Sequence, residues 1–326
     1  MRLVSATGVA RTTAGQSRWS TIADYAPTYG AFAALILLLV VDSLFIPNFF
    51  HPSNFRNILL QVSPTVLVAV GMTLVIATGG IDLSVGAVMA IASAVAATSL
   101  SGGTALAIVL ALAVATAAGA FNGALITGFR IQPIIVTLAL LIAGRGVAQV
   151  INGGQLIPFS NPSFEYLGRG YVGPVPVQVI IMFVVVAAIV FVMRATTFGR
   201  YVVATGGNEA AARLAGVKVH RTKIAVYALS GLLAGIAGLI ETARQGASDA
   251  PNIGPNIELD AIAATVVGGT PLTGGRATVI GTLIGALIMQ IITTSINMKG
   301  YEYSWSLVIK AAIIVIAVYI QRPRVA

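Results

Sequence analysis

The sequence predicts an all-α fold: a polytopic bundle of about ten transmembrane helices in two half-repeats of parallel topology, with both termini cytoplasmic. Three observations predict it. Charged residues make up 9% of the 326-residue chain and hydrophobic residues 57%, with a mean hydropathy of +0.94. A soluble domain carries roughly 25% charge, and a larger core would still need polar cover. Several windows run close to ~20 residues without a charge, enough to cross a hydrocarbon core about 30 Å thick. Thirty-five glycines, with many Ala, Ser and Thr, suit close helix packing in a bilayer.

The first 28 residues are polar, with Arg2, Arg11 and Arg18. No short apolar core with a small-residue cleavage site follows, so 1–28 reads as a cytoplasmic segment and not a cleaved signal. Residues 29–321 form the membrane domain, with a cytoplasmic loop at 194–223, and 322–326 is a cytoplasmic tail. The first span is about 29–46; Pro47, Pro52 and Asn54 separate it from the second, about 58–78. The third, 84–100, is turned by the SGG at 101–103 into the fourth, 104–128. FRIQP breaks the chain before the fifth, 131–151, and a Gly- and Pro-rich loop leads to the sixth, 177–193. The seventh is about 224–243. Segment 259–298 is too long for one crossing, and GGTPLTGGR at 268–276 divides it into a short eighth span and a ninth at 277–297. The tenth is 304–320.

Basic residues collect on cytoplasmic loops. Of 19 Lys and Arg, this arrangement leaves Arg56, Arg169, Arg244 and Lys299 outside and Arg145 and Lys310 within spans, which leaves thirteen inside. The net charge of +9 therefore reads as topology and not as affinity for nucleic acid. With no Cys, disulfides, thiolate zinc sites and a cysteine nucleophile are excluded. GGIDLSVGAV at 79–88 aligns with GGTPLTGGRA at 268–277, each after an outside-to-inside span and before an inside-to-outside one. Paired repeats of this kind are common in transporters.

One stretch turns polar and basic, RYVVATGGNEAAARLAGVKVHRTK, from Arg200 to Lys223. Within it Asn208 is a suitable N-cap. Glu209 sits where the helix dipole favours a negative charge. Arg213 is spaced to pair with Glu209, and Gly216 can end the helix in the left-handed conformation. A capped helix of about two turns is marginal alone, so it packs against a neighbour or a partner, or merely rounds off a loop.

Charges inside spans are costly and usually face partners or a wet cavity. Arg145 and Gln149 share a face of the fifth span, with Thr137 close to it. Lys310 lies in the tenth span, and Asp260 is a partner open to either cation. Asp82 sits beside two glycines at a membrane boundary, with Ser84 next to the following helix; a broken helix near a transport path and an ordinary capped turn both fit. Asn122 could line a path or bond a neighbouring helix. His51 and His220 fall on opposite sides and make no metal site. The sequence holds no phosphate-binding G-x-x-x-x-G-K-[ST] loop, no H-E-x-x-H and no G-x-S-x-G, so neither an ATPase nor a catalytic centre is legible. A secondary transporter or channel complete in one chain stays open at this point.

TLVIATGGIDLSVGAVMA, GGNEAAARLAGVKV and ELDAIAATVVGGTPLTGGR resemble the membrane permeases of bacterial ABC sugar importers of the ribose/xylose/galactose type. The similarity spans about residues 30–320. VDSLFIPNFF, VGMTLVIATGGIDLSVGAVMAIA and AGRGVAQVI look closest to galactofuranose-type permeases. The resemblance implies a multi-pass subunit of the bacterial inner membrane that moves a sugar without catalysing a reaction. It implies three partners: a cytoplasmic ATPase that binds ATP and Mg²⁺, a periplasmic sugar-binding protein, and a second permease subunit, identical or homologous. No cofactor is implied in this chain. Glu209, Ala210, Ala211 and Gly216 resemble the E-A-A…G signature of the helix that docks on the ATPase, with Asn208 and Arg213 beside them. Four residues separate Ala211 from Gly216, where the family has three. The translocation path is expected along Asp82, Asn122, Thr137, Arg145, Gln149, Asp260 and Lys310.

Overall fold

The computed structural model describes residues 19–321. They run α1 (Trp19–Phe45), α2 (Pro52–Ala77), α3 (Val85–Ser99), α4 (Thr104–Gly128), α5 (Pro133–Ile151), β1 (Ile157–Pro158), α6 (Pro162–Arg169), β2 (Tyr171–Val172), β3 (Val175–Pro176), α7 (Val177–Ala195), α8 (Thr197–Gly207), α9 (Glu209–Leu214), α10 (Val219–Gln245), β4 (Ala247–Ser248), α11 (Ile257–Val267), α12 (Val279–Met298) and α13 (Tyr303–Gln321). The tail 322–326 and most of the N-terminal segment, with Arg2, Arg11, Arg18, Arg322 and Arg324, lie outside the described residues.

The chain is a polytopic helical membrane protein. Among the described residues, seven helical segments are long and apolar enough to cross a bilayer: α2, α3 with the 3₁₀ turn that follows it, α4, α5, α7, α10 and α12. Tyr29–Phe45 and Ser304–Tyr319 are shorter apolar helical stretches. The expected eighth span, α11, has 11 residues. At 1.5 Å per residue it rises about 16 Å, half the hydrocarbon thickness. Two features were not expected. The polar island holds two helices, because Thr196 caps α8 ahead of Asn208 and α9. The long loop carries α6, whose Asn161 accepts from the Phe164 N–H at 3.1 Å while Glu165 accepts from the Asn161 N–H at 3.2 Å. That reciprocal pairing, with Pro162 in the first turn, resembles a capping box with its acid one residue later, at the fourth helical position.

α2 and α10 form the centre. Every residue of α2 from Val66 to Ala77 is buried, and a helix apolar on all sides belongs inside. α4, α5 and α7 instead expose Val109, Phe121, Ile135, Ile142, Phe183 and Phe191, a composition suited to lipid. α4 meets α10 along Ala107, Ala111, Ala115, Gly119 and Gly123, all buried. A Cβ on Gly119 would strike the Tyr227 carbonyl, and one on Gly231 the Ala115 carbonyl, so backbone touches backbone along this seam.

The two glycine-rich turns have matching caps. Gly79 (φ +78°) and Gly269 (φ +94°) are both left-handed. Each donates to the carbonyl three residues back, Ile76 and Val266, at 2.8 Å, and the next residue donates five back, to Val75 and Thr265. These are Schellman endings of α2 and α11. The structural register therefore pairs Gly79 with Gly269, one residue away from the alignment of Gly79 with Gly268 that the sequence suggests. The second turn is also longer before its next helix starts.

The turns meet each other. The Gly275 N–H donates to the Ala77 carbonyl at 3.0 Å, joining the end of α2 to the approach to α12. α8 is wedged into this junction by Gly206, where a Cβ would collide with the Ala77 carbonyl and crowd the Gly275 nitrogen. At Gly207 the nearest atom to such a Cβ is 3.9 Å away. Gly206→Ala is expected to destabilise the fold by about 1–3 kcal/mol, as overpacking does, while Gly207→Ala is near neutral. Thermal unfolding of both variants in detergent checks this.

Candidate functional site

α9 is built as its sequence specifies. The Asn208 Oδ1 accepts from the Ala211 N–H at 2.9 Å, and Gly216 takes φ +84° just after the helix. Glu209 accepts from Arg213 at 3.0 Å, and also from Lys223 of α10 at 2.7 Å. The second bond ties α9 to a long buried helix. Otherwise α9 stands proud of the bundle: Ala212 is its one buried residue, Ala210 and Ala211 are exposed, and Leu214 is 91% exposed. Burying such a leucine would gain about 1.5–3 kcal/mol.

Asp82 is 1% exposed and accepts from the Ser84 N–H at 3.0 Å, the Ser84 hydroxyl at 2.6 Å and the Ser230 hydroxyl at 2.9 Å. Asn122 donates to the Ser84 hydroxyl at 2.9 Å. The Thr137 hydroxyl reaches the Ile81 carbonyl at 3.3 Å. Residues of α4, α5 and α10 thus hold the first glycine-rich turn. Asp82, Asn122 and Thr137 are brought together, but in the solid core.

Arg145 sits toward the other end of α5. Its guanidinium donates to the carbonyls of Ala250 (3.0 Å), Ile253 and Gly254 (2.8 Å), in the loop that leads into α11. Insertion of an arginine costs at least ~2.5–3.5 kcal/mol. Bonds from a charged donor return about 1.5–3 kcal/mol each, so three of them outweigh it. Gln149 is exposed and lies apart from this group. The stripe expected on α5 is therefore split: Thr137 inside, Arg145 on a loop, Gln149 outside. Asp260 pairs with Lys310 at 3.0 Å, joining α11 to α13.

That pair borders a cavity of about 590 Å³, at the end of the bundle away from α9. Asn57 and Gln61 of α2, Arg244 of α10, and Gln290 and Thr293 of α12 complete its polar lining. Gln290 donates its amide to the Gln61 oxygen at 2.8 Å. A second hollow, beside His51, Ser53 and Asn54, shares Asn57 and forms its rim. Three amides and a hydroxyl share the wall with Arg244, Asp260 and Lys310. Such groups offer donors and acceptors to a polar solute with several hydroxyls.

Residues 54–318 match the family model described as branched-chain amino acid transport system, permease component. The ribose import permease protein RbsC of Escherichia coli K12 is 42% identical over 297 residues, covering 89% of this chain and 92% of that protein. RbsC of Bacillus subtilis strain 168 is 42% identical over 299 residues, covering 90% and 92%. The galactofuranose transporter permease protein YtfT of Escherichia coli K12 is 42% identical over 301 residues, covering 89% and 88%. The chain belongs to this permease family. No solved structure matches it significantly. The permease is thus a transport subunit and not an enzyme.

Sequence reasoning followed charges and so found Asp260 and Lys310. It passed over Asn57, Gln61, Gln290 and Thr293 of the same cavity. The available signal was weak: Gln61 and Gln290 are single glutamines among the other polar residues of their helices.

Lys310→Met leaves Asp260 unpaired and is expected to cost about 3–5 kcal/mol; Lys310→Met with Asp260→Asn recovers most of it. Chemical denaturation of the three proteins checks this. Glu209 is held below the usual carboxylate range, first by the hydrogen bond from Lys223; partial burial opposes this, while the charges of Lys223 and Arg213 add to it. Its folded pKa lies below the unfolded value of about 4.3, so the tether is intact above that pH and is lost only as pH falls through the lower, folded value. In Lys223→Gln the Glu209 carboxylate should protonate at higher pH, which isotope-edited infrared titration would read.

Proposed function

We propose that the permease is the membrane subunit of an ATP-binding-cassette importer that passes a neutral monosaccharide, of the pentose or furanose kind, into the cytoplasm. The carrying observation is the amide- and hydroxyl-lined cavity at one end of the bundle, with the exposed, capped α9 at the other. The sugar enters beside Asn57, Gln61, Gln290 and Thr293, where hydroxyl groups exchange water for amide partners. Asp260 and Lys310 hold the wall between α11 and α13. The relatives named for ribose and galactofuranose support this substrate class.

Asn208, Glu209, Ala210, Ala211, Arg213 and Gly216 form the coupling helix, and Leu214 is its apolar tip. A separate cytoplasmic ATPase holds ATP and Mg²⁺ and receives this helix. A periplasmic binding protein delivers the sugar to the opposite end. A second permease, identical or homologous, completes the pathway. In this arrangement about ten segments alternate through the bacterial inner membrane as two half-repeats, with both termini in the cytoplasm. Matching Schellman caps after α2 and α11 support the repeat.

ATP-driven uptake in vesicles containing the neighbouring ATPase and binding protein tests the reading. Glu209→Arg, or Leu214→Asp, is expected to abolish uptake and stimulated ATP hydrolysis while the protein still inserts. Gln61→Ala and Gln290→Ala each remove one neutral sugar contact, about 0.5–1.5 kcal/mol, and should lower uptake roughly two- to tenfold. Uptake that proceeds without the ATPase and ignores Glu209→Arg would replace this reading with a self-contained transporter.

A further inference from the structure

A second cavity, of about 950 Å³, lies beneath α9. Its wall carries Arg130, Arg213, Lys218, His220 and Lys223 against a single carboxylate, Glu209. That carboxylate is already held by Arg213 and Lys223. Arg130 and Lys218 are exposed and have no acidic partner among the described residues. Arg130 sits in the tight α4–α5 turn at φ +56°, a conformation uncommon for a residue with a Cβ.

The cavity does not end in polar surface. Ile131 also lines a mostly apolar groove of about 290 Å³ between α4 and α5, with Phe121, Leu125, Ile135 and Ala139, and with Asn122 as its one polar side chain. The groove runs along the outward faces of two helices whose exposed side chains suit lipid. A mostly apolar channel that opens at one end onto unpaired cations has the shape and charge of one kind of occupant.

We propose that this composite site holds an anionic phospholipid: one acyl chain in the α4–α5 groove, and its phosphate-bearing headgroup beside Arg130 and Lys218. Two observations meet here independently, the cation excess and the mostly apolar groove that adjoins it at Ile131. Basic pockets between transmembrane helices are suited to anionic headgroups, and a bilayer supplies the ligand at high local concentration. The headgroup would lie against the cluster of Glu209, Arg213 and Lys223 that tethers α9. The site is argued without reference to the sugar or the ATPase, so it stands or falls separately from the transport reading.

The test is native mass spectrometry of the purified permease after incubation with phosphatidylglycerol or phosphatidylcholine. Wild type is expected to retain phosphatidylglycerol and not phosphatidylcholine. Losing two surface cations should reduce that retention in Arg130→Ala/Lys218→Ala by roughly tenfold or more. Ala139→Trp fills the groove and leaves every cation in place, so it should reduce retention as well. Arg194→Ala, a basic residue outside the cavity, should leave it unchanged. Equal retention of both lipids, or unchanged retention in both site variants, overturns the proposal. Displacement by free glycerol phosphate combined with an inert Ala139→Trp also overturns it, because the site then takes phosphate alone. A doubled mass lost in Ala139→Trp, with no lipid adduct, would assign the groove to a second copy of the chain. Circular dichroism and gel filtration of each variant separate loss of the site from loss of the fold.

Discussion

Buried backbone that leaves a helix must find its hydrogen-bond partners within the protein, because an unpaired buried N–H or C=O costs as much as a lost hydrogen bond. The rest of this structure depends on that constraint at two places, the buried parts of residues 78–84 and 268–278. In the first, the carboxylate of Asp82 accepts the Ser84 N–H, and Thr137 answers the Ile81 carbonyl. In the second, the Thr278 N–H donates to the Thr270 hydroxyl at 3.0 Å, and the Thr278 hydroxyl donates to the Gly268 carbonyl at 3.0 Å. The first break is held by polar residues of neighbouring helices, which accounts for Asn122 and Ser230 in α4 and α10, and the second by its own threonines. Buried polarity in this chain largely serves its own irregular backbone.

The same breaks create the mechanical centre. Helices with side chains keep their axes some 8–10 Å apart. Gly79, Gly206 and the Gly274–Gly275 pair let three chain segments approach as bare backbone. Through Gly206, α8 touches the end of α2 and the approach to α12 at once. α8 leads directly into the capped α9. α2 and α12 both line the cavity at the far end of the bundle.

The charges divide by task. Arg145 organises a loop through three carbonyls, and Asp260 with Lys310 closes the gap between a short helix and its neighbour. Glu209 fastens α9 through Lys223. Asp260 and Lys310 also face the cavity, beside Arg244 and the amides of Asn57, Gln61 and Gln290.

Much of the fold and the capped helix α9 were legible in sequence, because they rest on local chemistry. Hydropathy marked most spans, and Asn208, Glu209, Arg213 and Gly216 specified a helix through caps and spacing that act within one turn. Asp260 and Lys310 were legible as candidates, since a charge in a span demands a partner. Which partner was a matter of tertiary structure: Lys310 and not Arg145 lies beside Asp260. Tertiary structure alone also decided that Asp82, Asn122 and Thr137 are packed inside, that Gln149 faces out, and that Gln61 and Gln290 meet. These residues belong to helices far apart in the chain, and side-chain type carries no information about which helix stands opposite. The one-residue shift between the two glycine-rich turns has the same cause. Letters matched Gly79 to Gly268, but the position of a left-handed cap depends on where the preceding helix stops, and packing against its neighbours sets that end.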